Sequence, residues 1–173
     1  MGIRKIVKIG DETLRKVCRK QEKFDLRLSI LLKDMADTMY KAEGVGLAAP
    51  QVGILRRVVV VDVTEDHSGL KEMVNPEIIE HSGSQTGREG CLSVPERQGV
   101  VTRPMKIKAR FQDRHGKWMT VETEGLEARA ICHELDHLDG HMYVELVEGR
   151  LYTNEELDEM FAKENEEEAE EQA

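Results

Sequence analysis

His133, Glu134, Leu135, Asp136 and His137 form an H-E-x-x-H run. Four residues apart on a helix, the two imidazoles lie on one face and can hold the same cation. Glu134, beside the first of them, is placed to take a proton from a metal-bound water. Two histidines need at least one further protein ligand. Cys91, in Glu89-Gly90-Cys91-Leu92-Ser93, is the candidate, a thiol next to a glycine in a short extended segment. A Cys/His/His set leaves a fourth position open, which marks a catalytic rather than a structural metal site. The chemistry to expect is metal-assisted hydrolysis.

Taken alone, H-E-x-x-H is a modest signal, and a free cysteine is more often a small buried hydrophobe, a description that suits Cys18 and Cys132. A third segment adds weight. Gly44-Val45-Gly46-Leu47-Ala48-Ala49-Pro50-Gln51 follows a helical pattern and precedes a strand-like one. Its glycines let a backbone come close to a ligand, and the Gln51 amide offers a neutral donor for an oxyanion. It is not a phosphate loop, because it lacks the Lys-Ser/Thr ending and opens no helix.

The elements that must position these groups can be read from periodicity. Asp25 caps a helix expected to run to about residue 43, with Leu28, Leu31, Leu32, Met35 and Met39 as its apolar stripe and Gly44 as its stop. Residues 57–63 are β-branched and predict a buried strand. Residues 73–80 and 84–88 flank a turn at His81-Ser82-Gly83, and 106–111 and 117–123 alternate around Asp113-Arg114-His115-Gly116 as a hairpin. The metal-motif helix is expected over 126–139, with Leu126, Ala130, His133 and His137 as one stripe on an apolar face and Gly140 as its terminator. A strand-like piece at 142–146 follows, then a last helix capped at Thr153 or Asn154, with Thr153-x-x-Glu156 as a capping box. The fold class is α+β, with mostly antiparallel short sheets packed around the central H-E-x-x-H helix and one helix towards each end.

Composition bounds the remainder. At 173 residues the chain is one domain, expected over 1–154, followed by an acidic C-terminal helix or tail over 155–173 whose end should fray. The net charge of -9 belongs wholly to that tail, which holds ten acidic residues and one basic, while the rest of the chain carries 24 of each sign. The body therefore offers no basic nucleic-acid face, and no specific DNA binding is expected. No apolar run is long enough for a membrane span, no signal peptide opens the chain, and three cysteines suit a reducing compartment, so a cytoplasmic protein is expected.

Taken in order, G-x-G-x-A-A-x-Q at 44–51, E-G-C-L-S at 89–93 and H-E-x-D-H at 133–137 resemble the peptide deformylases, in their bacterial form. Val74-Asn75-Pro76, Arg103-Pro104 and His137-Leu138-Asp139-Gly140 extend the similarity, which runs from about residue 3 to residue 150. The resemblance implies removal of the formyl group from the formyl-methionine that begins newly made polypeptides, with release of formate. It implies that Cys91, His133 and His137 bind one divalent metal, typically Fe²⁺ in this family, although Zn²⁺, Ni²⁺ and Co²⁺ accept the same ligands. Glu134 would be general base and then general acid, with Gln51 and the backbone N–H of Leu92 stabilising the oxyanion. Gly46 would present backbone to the peptide as an added strand. Val45, Glu89, Arg97, Arg129 and His133 would line the methionine pocket, and Glu89 with Arg103 would steady the Cys91 segment.

Two departures stand out. Cys132 replaces a glutamine common in the family, and the acidic tail argues against docking on ribosomal RNA by the basic C-terminal helix of some relatives, so any transient ribosome association should use another surface. Rival readings are a zinc endopeptidase, a catalytically idle peptide-binding homologue, and a thiol hydrolase with Cys91 as nucleophile. The first leaves the Cys91 motif unexplained, the second would be favoured by a missing ligand, and the third would survive a chelator.

Overall fold

A computed structural model describes residues 2–173. Eight strands and three helices follow one another as α1 (Leu26–Lys41), β1 (Gly46–Ala48), β2 (Val58–Val61), β3 (Lys71–Ser82), β4 (Gln85–Cys91), β5 (Val94–Arg103), β6 (Lys106–Gln112), β7 (Trp118–Glu124), α2 (Gly125–Leu138), β8 (Glu148–Thr153) and α3 (Asn154–Glu171). They form two antiparallel sheets, ordered β1-β2-β3-β6-β7 and β4-β5-β8. The α+β class holds, and α2 carries His133, Glu134 and His137.

The four valines of β2 show how the core is divided. Side chains alternate across a strand. Val58 and Val60 accordingly meet the α1 stripe of Leu28, Leu31, Leu32, Met35 and Met39. Val59 and Val61 meet Ala128, Ile131, Leu135 and Leu138 of α2. One strand buried on both faces thus couples the two helices, and each fully buried aliphatic side chain stabilises that arrangement by about 1.5–3 kcal/mol. Asp25 caps α1 by accepting from Leu28 N at 3.1 Å. A third cluster, Leu14, Val94, Val101, Met142 and Tyr143, packs the small sheet beneath the Cys91 strand.

Two expectations, at residues 142–146 and at Leu126, need correction. The turn expected at Gly83 is present, with φ +67, and joins strands that do not pair with each other. It hands the chain from the large sheet to the small one, since β3 pairs with β2 and β6 while β4 pairs with β5. Residues 142–146 hold a 3-10 turn, Tyr143–Glu145, not a strand; the strand comes later, as β8. The turn is closed by Glu145 N→Met142 O and Leu146 N→Tyr143 O bonds, and it buries Tyr143 to 1% exposure. Leu126 is 56% exposed, because it opens α2 at the rim of a cleft; the helix turns Ala128, Ile131, Leu135 and Leu138 to the sheet instead. At the end of the chain, Thr153 caps α3 by accepting from Glu156 N at 3.0 Å, while the Glu156 carboxylate pairs with Arg150. The helix continues to Glu171, with Leu157 its buried residue. No helix among the described residues is long and apolar enough to cross a membrane.

Candidate functional site

A β-bulge between Gly90 and Cys91 ends the regular β4–β5 ladder and brings Cys91 opposite Val94. A bulge bends the strand and re-aims the side chain that follows. The Cys91 thiol meets α2 there, with Sγ 3.4 Å from His137 Nε2. One ligating atom each from Cys91, His133 and His137 lies within 4.8 Å of the others. The two imidazoles stand edge to face, their centroids 5.1 Å apart. A soft thiol and two imidazoles, converging from a bent strand and one helix face, fit a single divalent transition-metal ion.

The ring of His133 is held from behind. Its Nδ1 donates to Glu89 Oε1 at 2.6 Å, and Tyr143 stacks on it at 5.7 Å between centroids. Glu89 is gripped in turn by Arg103, through Nη2 at 2.5 Å and Nε at 3.2 Å, and by Arg129 Nη1 at 2.8 Å. Burial alone would raise the Glu89 carboxyl, but the bonds from His133 and Arg103 outweigh it and hold the group down at about 2. Burial pushes Glu134 up to about 7, and its Oε2 is buried with no hydrogen-bond partner among the described residues. His137 is lowered to about 3, chiefly by burial. For His133 burial acts in the same direction, but bonds to Cys91 and Glu89 outweigh it and raise the imidazole.

Gln51 lies in the 3-10 turn Ala49–Val52, behind β1, and is buried. Its Oε1 accepts from Ala48 N at 2.9 Å, which orients the amide and turns Nε2 towards Ser93 Oγ (3.1 Å) and Cys91 Sγ (3.4 Å). Gly46 passes so close that a Cβ there would lie 2.8 Å from Glu134 Cγ. A Cβ on Gly44 would meet the Leu92 side chain at 2.7 Å. These two glycines let β1 approach the centre from one side while Leu92 closes the other.

A cleft of about 600 Å³ opens over this centre. Val45, Gly46, Glu89, Arg97, Arg129 and His133, all expected at a substrate pocket, line it together with Cys91, Leu92 and Glu134. Arg97 stands at its exposed rim and bonds to the Glu96 carbonyl. Arg129 is buried, and its guanidinium is engaged by Glu89 and by backbone carbonyls. Three residues had no role in the sequence reading. Ser93, within the Cys91 motif, is fully buried against Gln51. Asp136, within the histidine motif, takes Arg103 Nη1 at 2.6 Å. The spacing of both motifs could have marked them. Nothing in the sequence marks Tyr143, which reaches His133 from the turn after α2. Cys18 and Cys132 lie in the core, where burial pushes both thiols up to about 11.

Fold and site together define a hydrolase. The chain matches the family described as polypeptide deformylase over residues 3–151. It is 57% identical over 152 residues to the peptide deformylase of Agathobacter rectalis, covering 88% of this chain and 94% of that one. The crystal structure of the peptide deformylase from Thermotoga maritima superposes with a TM-score of 0.83 at 39% identity, covering 86% of this chain and 100% of the other. That from Synechococcus elongatus, in complex with actinonin, gives 0.80 at 36% identity over 84% and 79%. The chain belongs to the polypeptide deformylase family, enzymes that remove the N-terminal formyl group from nascent peptides. Metal dependence is general in that family.

Proposed function

We propose that this enzyme hydrolyses the formyl group of N-formyl-methionyl peptides in the cytoplasm, using one divalent cation held by Cys91, His133 and His137. The observation that carries this reading is the convergence of those three ligands within 4.8 Å, beside a buried Glu134 and inside a cleft. Fe²⁺ is the first candidate, and Zn²⁺, Ni²⁺ and Co²⁺ suit the same donors. When bound, the ion supplies Lewis acidity that polarises the formyl oxygen and makes a water acidic enough to attack near neutral pH.

The residues divide the remaining work. Glu134, held at about 7 by burial, accepts the proton of the attacking water and returns it to the departing amine. Gln51 Nε2, fixed by the bond from Ala48 N to Oε1, donates to the oxyanion that develops on the formyl oxygen. One such donor is worth roughly 3 kcal/mol of barrier. The Leu92 N–H supplies the second donor. The peptide lies along β1, an edge strand that among the described residues pairs with β2 alone, and Gly46 keeps its backbone close to Glu134. Val45 and the rim of Arg97 border the substrate. Ribosome contact, where it occurs, excludes α3, whose acidic surface repels RNA phosphate.

The deciding experiment is anaerobic formate release from a short formyl-Met peptide, with the metal content of the same sample measured, for wild type and Glu134→Ala. Metal-dependent release by wild type, lost in the variant with metal retained, supports the assignment of Glu134. Undiminished release after Glu134→Ala overturns it. Release that survives a chelator but not alkylation of Cys91 would transfer the chemistry to the thiol.

A further inference from the structure

Arg129 stands one helical turn before His133 on α2, with 6% of its surface exposed. Family resemblance placed it against the methionine side chain, but its polar atoms point elsewhere. Nη1 donates to Glu89 Oε2 at 2.8 Å and to the Val101 carbonyl at 3.0 Å, and Nη2 donates to the Gln85 carbonyl at 3.3 Å. Gly87 passes beside it, where a Cβ would make ordinary van der Waals contact with Nη2 at 3.6 Å.

A buried guanidinium is costly unless paired, so the second one needs a reason. Arg103 already holds both oxygens of Glu89, yet it also gives Nη1 to Asp136 at 2.6 Å. Two carboxylates would otherwise share one positive charge. Arg129 completes the balance. The Glu89 oxygens are also divided in a particular way. Oε2 receives Arg103 Nε and Arg129 Nη1, while Oε1 receives Arg103 Nη2 and His133 Nδ1. Glu89 thereby ties two residues, one turn apart on α2, to the strand position two residues before Cys91.

We propose that Arg129 is a positioning residue. It fixes the separation of β4 from α2, and so of Cys91 from the two imidazoles, without touching the substrate side chain. This rests on the metal site proposed above. Loss of an outer partner of a metal-binding histidine typically weakens metal affinity 10- to 100-fold.

The test is anaerobic Co²⁺ titration against a competing chelator, for wild type, Arg129→Met and Arg129→Lys, following the absorption that a thiolate ligand gives to Co²⁺. Formate release supplies kcat and KM for each variant, and thermal melts establish folding. We expect Arg129→Met to bind Co²⁺ about 10- to 100-fold more weakly, with a shifted thiolate band, a lower kcat and an unchanged KM. Arg129→Lys, which keeps the charge but not the planar fork, should recover part of the loss. Wild-type Co²⁺ binding with a raised KM would make Arg129 a pocket residue and overturn the inference. Wild-type values in both measurements would reduce it to packing. Should Arg129→Met fail to fold, Arg129→Lys carries the test, weaker Co²⁺ binding at unchanged KM supporting the proposal and wild-type binding overturning it. Failure of the wild-type protein itself to bind Co²⁺ would overturn the metal site, whereas equal binding by all three proteins overturns only the role of Arg129.

Discussion

His133 Nδ1 lies 2.6 Å from Glu89 Oε1, and both side chains are buried. An ionised carboxylate only accepts, so Nδ1 carries a proton and Nε2 is the nitrogen left to face a cation once it gives up any proton of its own. Ring orientation is therefore set before any ligand arrives. The same carboxylate is held by two arginines, so the small sheet, α2 and the histidine share one charged junction.

Glu89→Gln should expose that junction through its pH dependence. The folded-state value of Glu89, about 2, lies below the ordinary 4.5. Its ionised form thus stabilises the fold above pH 4.5, and the contribution is lost as pH falls from there towards 2. The shift corresponds to about 3 kcal/mol. Urea melts of wild type and Glu89→Gln should therefore differ most near neutrality, with the gap closing as pH falls through that window. A gap that is constant with pH would mean that the charge of Glu89 is not what stabilises the junction.

Gln51→Ala should lower kcat about 10²- to 10³-fold, as for loss of one oxyanion donor. Because Nε2 also reaches Cys91 Sγ and Ser93 Oγ, metal content has to be measured in the same sample. A full metal complement with reduced kcat locates the effect in the transition state. Depleted metal would show that Gln51 serves the Cys91 segment instead.

Much of this architecture was legible because local and global signals agree. The α1 stripe, the Asp25 cap, the 106–123 hairpin and the β-branched run of β2 each carry their own period, and the structure uses each as that period requires. That Cys91, His133 and His137 could share one cation was legible from residue types and spacing, and the structure brings their ligating atoms together. What escaped depends on contacts between distant segments. The switch of sheets at Gly83 follows from which partners β3 and β4 find, not from anything within residues 71–91. Tyr143 falls in a stretch that alternates like a strand, yet burial against His133 winds it into a 3-10 turn. Arg129 lines the cleft as the resemblance implies, but its bond to Glu89 joins segments 40 residues apart and carries no local signal.

Gly140 should prove intolerant of any side chain. It has φ +79, and a Cβ there would run into the Arg15 carbonyl. Gly140 N→His137 O and His141 N→Asp136 O close the end of α2 in a Schellman motif, while Cys18 N and Arg57 Nη1 satisfy the Leu138 carbonyl. His137 sits in that final turn. Gly140→Ala should cost about 2 kcal/mol or more in urea melts, from left-handed strain and the backbone clash together. It should also loosen metal binding through His137. Wild-type stability would show that the Arg15 segment moves aside at no cost.

The acidic helix α3 should divide at Ala162. Its first turns are anchored by the Thr153 cap, by Leu157 at 2% exposure, and by Arg88, which pairs with Asp158 and lies over the Phe161 ring at 5.0 Å. From Lys163 onward every residue is exposed, and like charges one turn apart repel. Leu157→Ala should cost about 2–4 kcal/mol, the price of an emptied core position. Deletion of residues 163–173 should move stability by no more than about 0.5 kcal/mol and leave formate release unchanged. Because those residues carry most of the negative excess, the truncated protein should also show weaker salt dependence towards cationic peptides, which steady-state kinetics at two ionic strengths would measure. A large loss of stability on truncation would instead mean that the acidic end packs against the body of the enzyme.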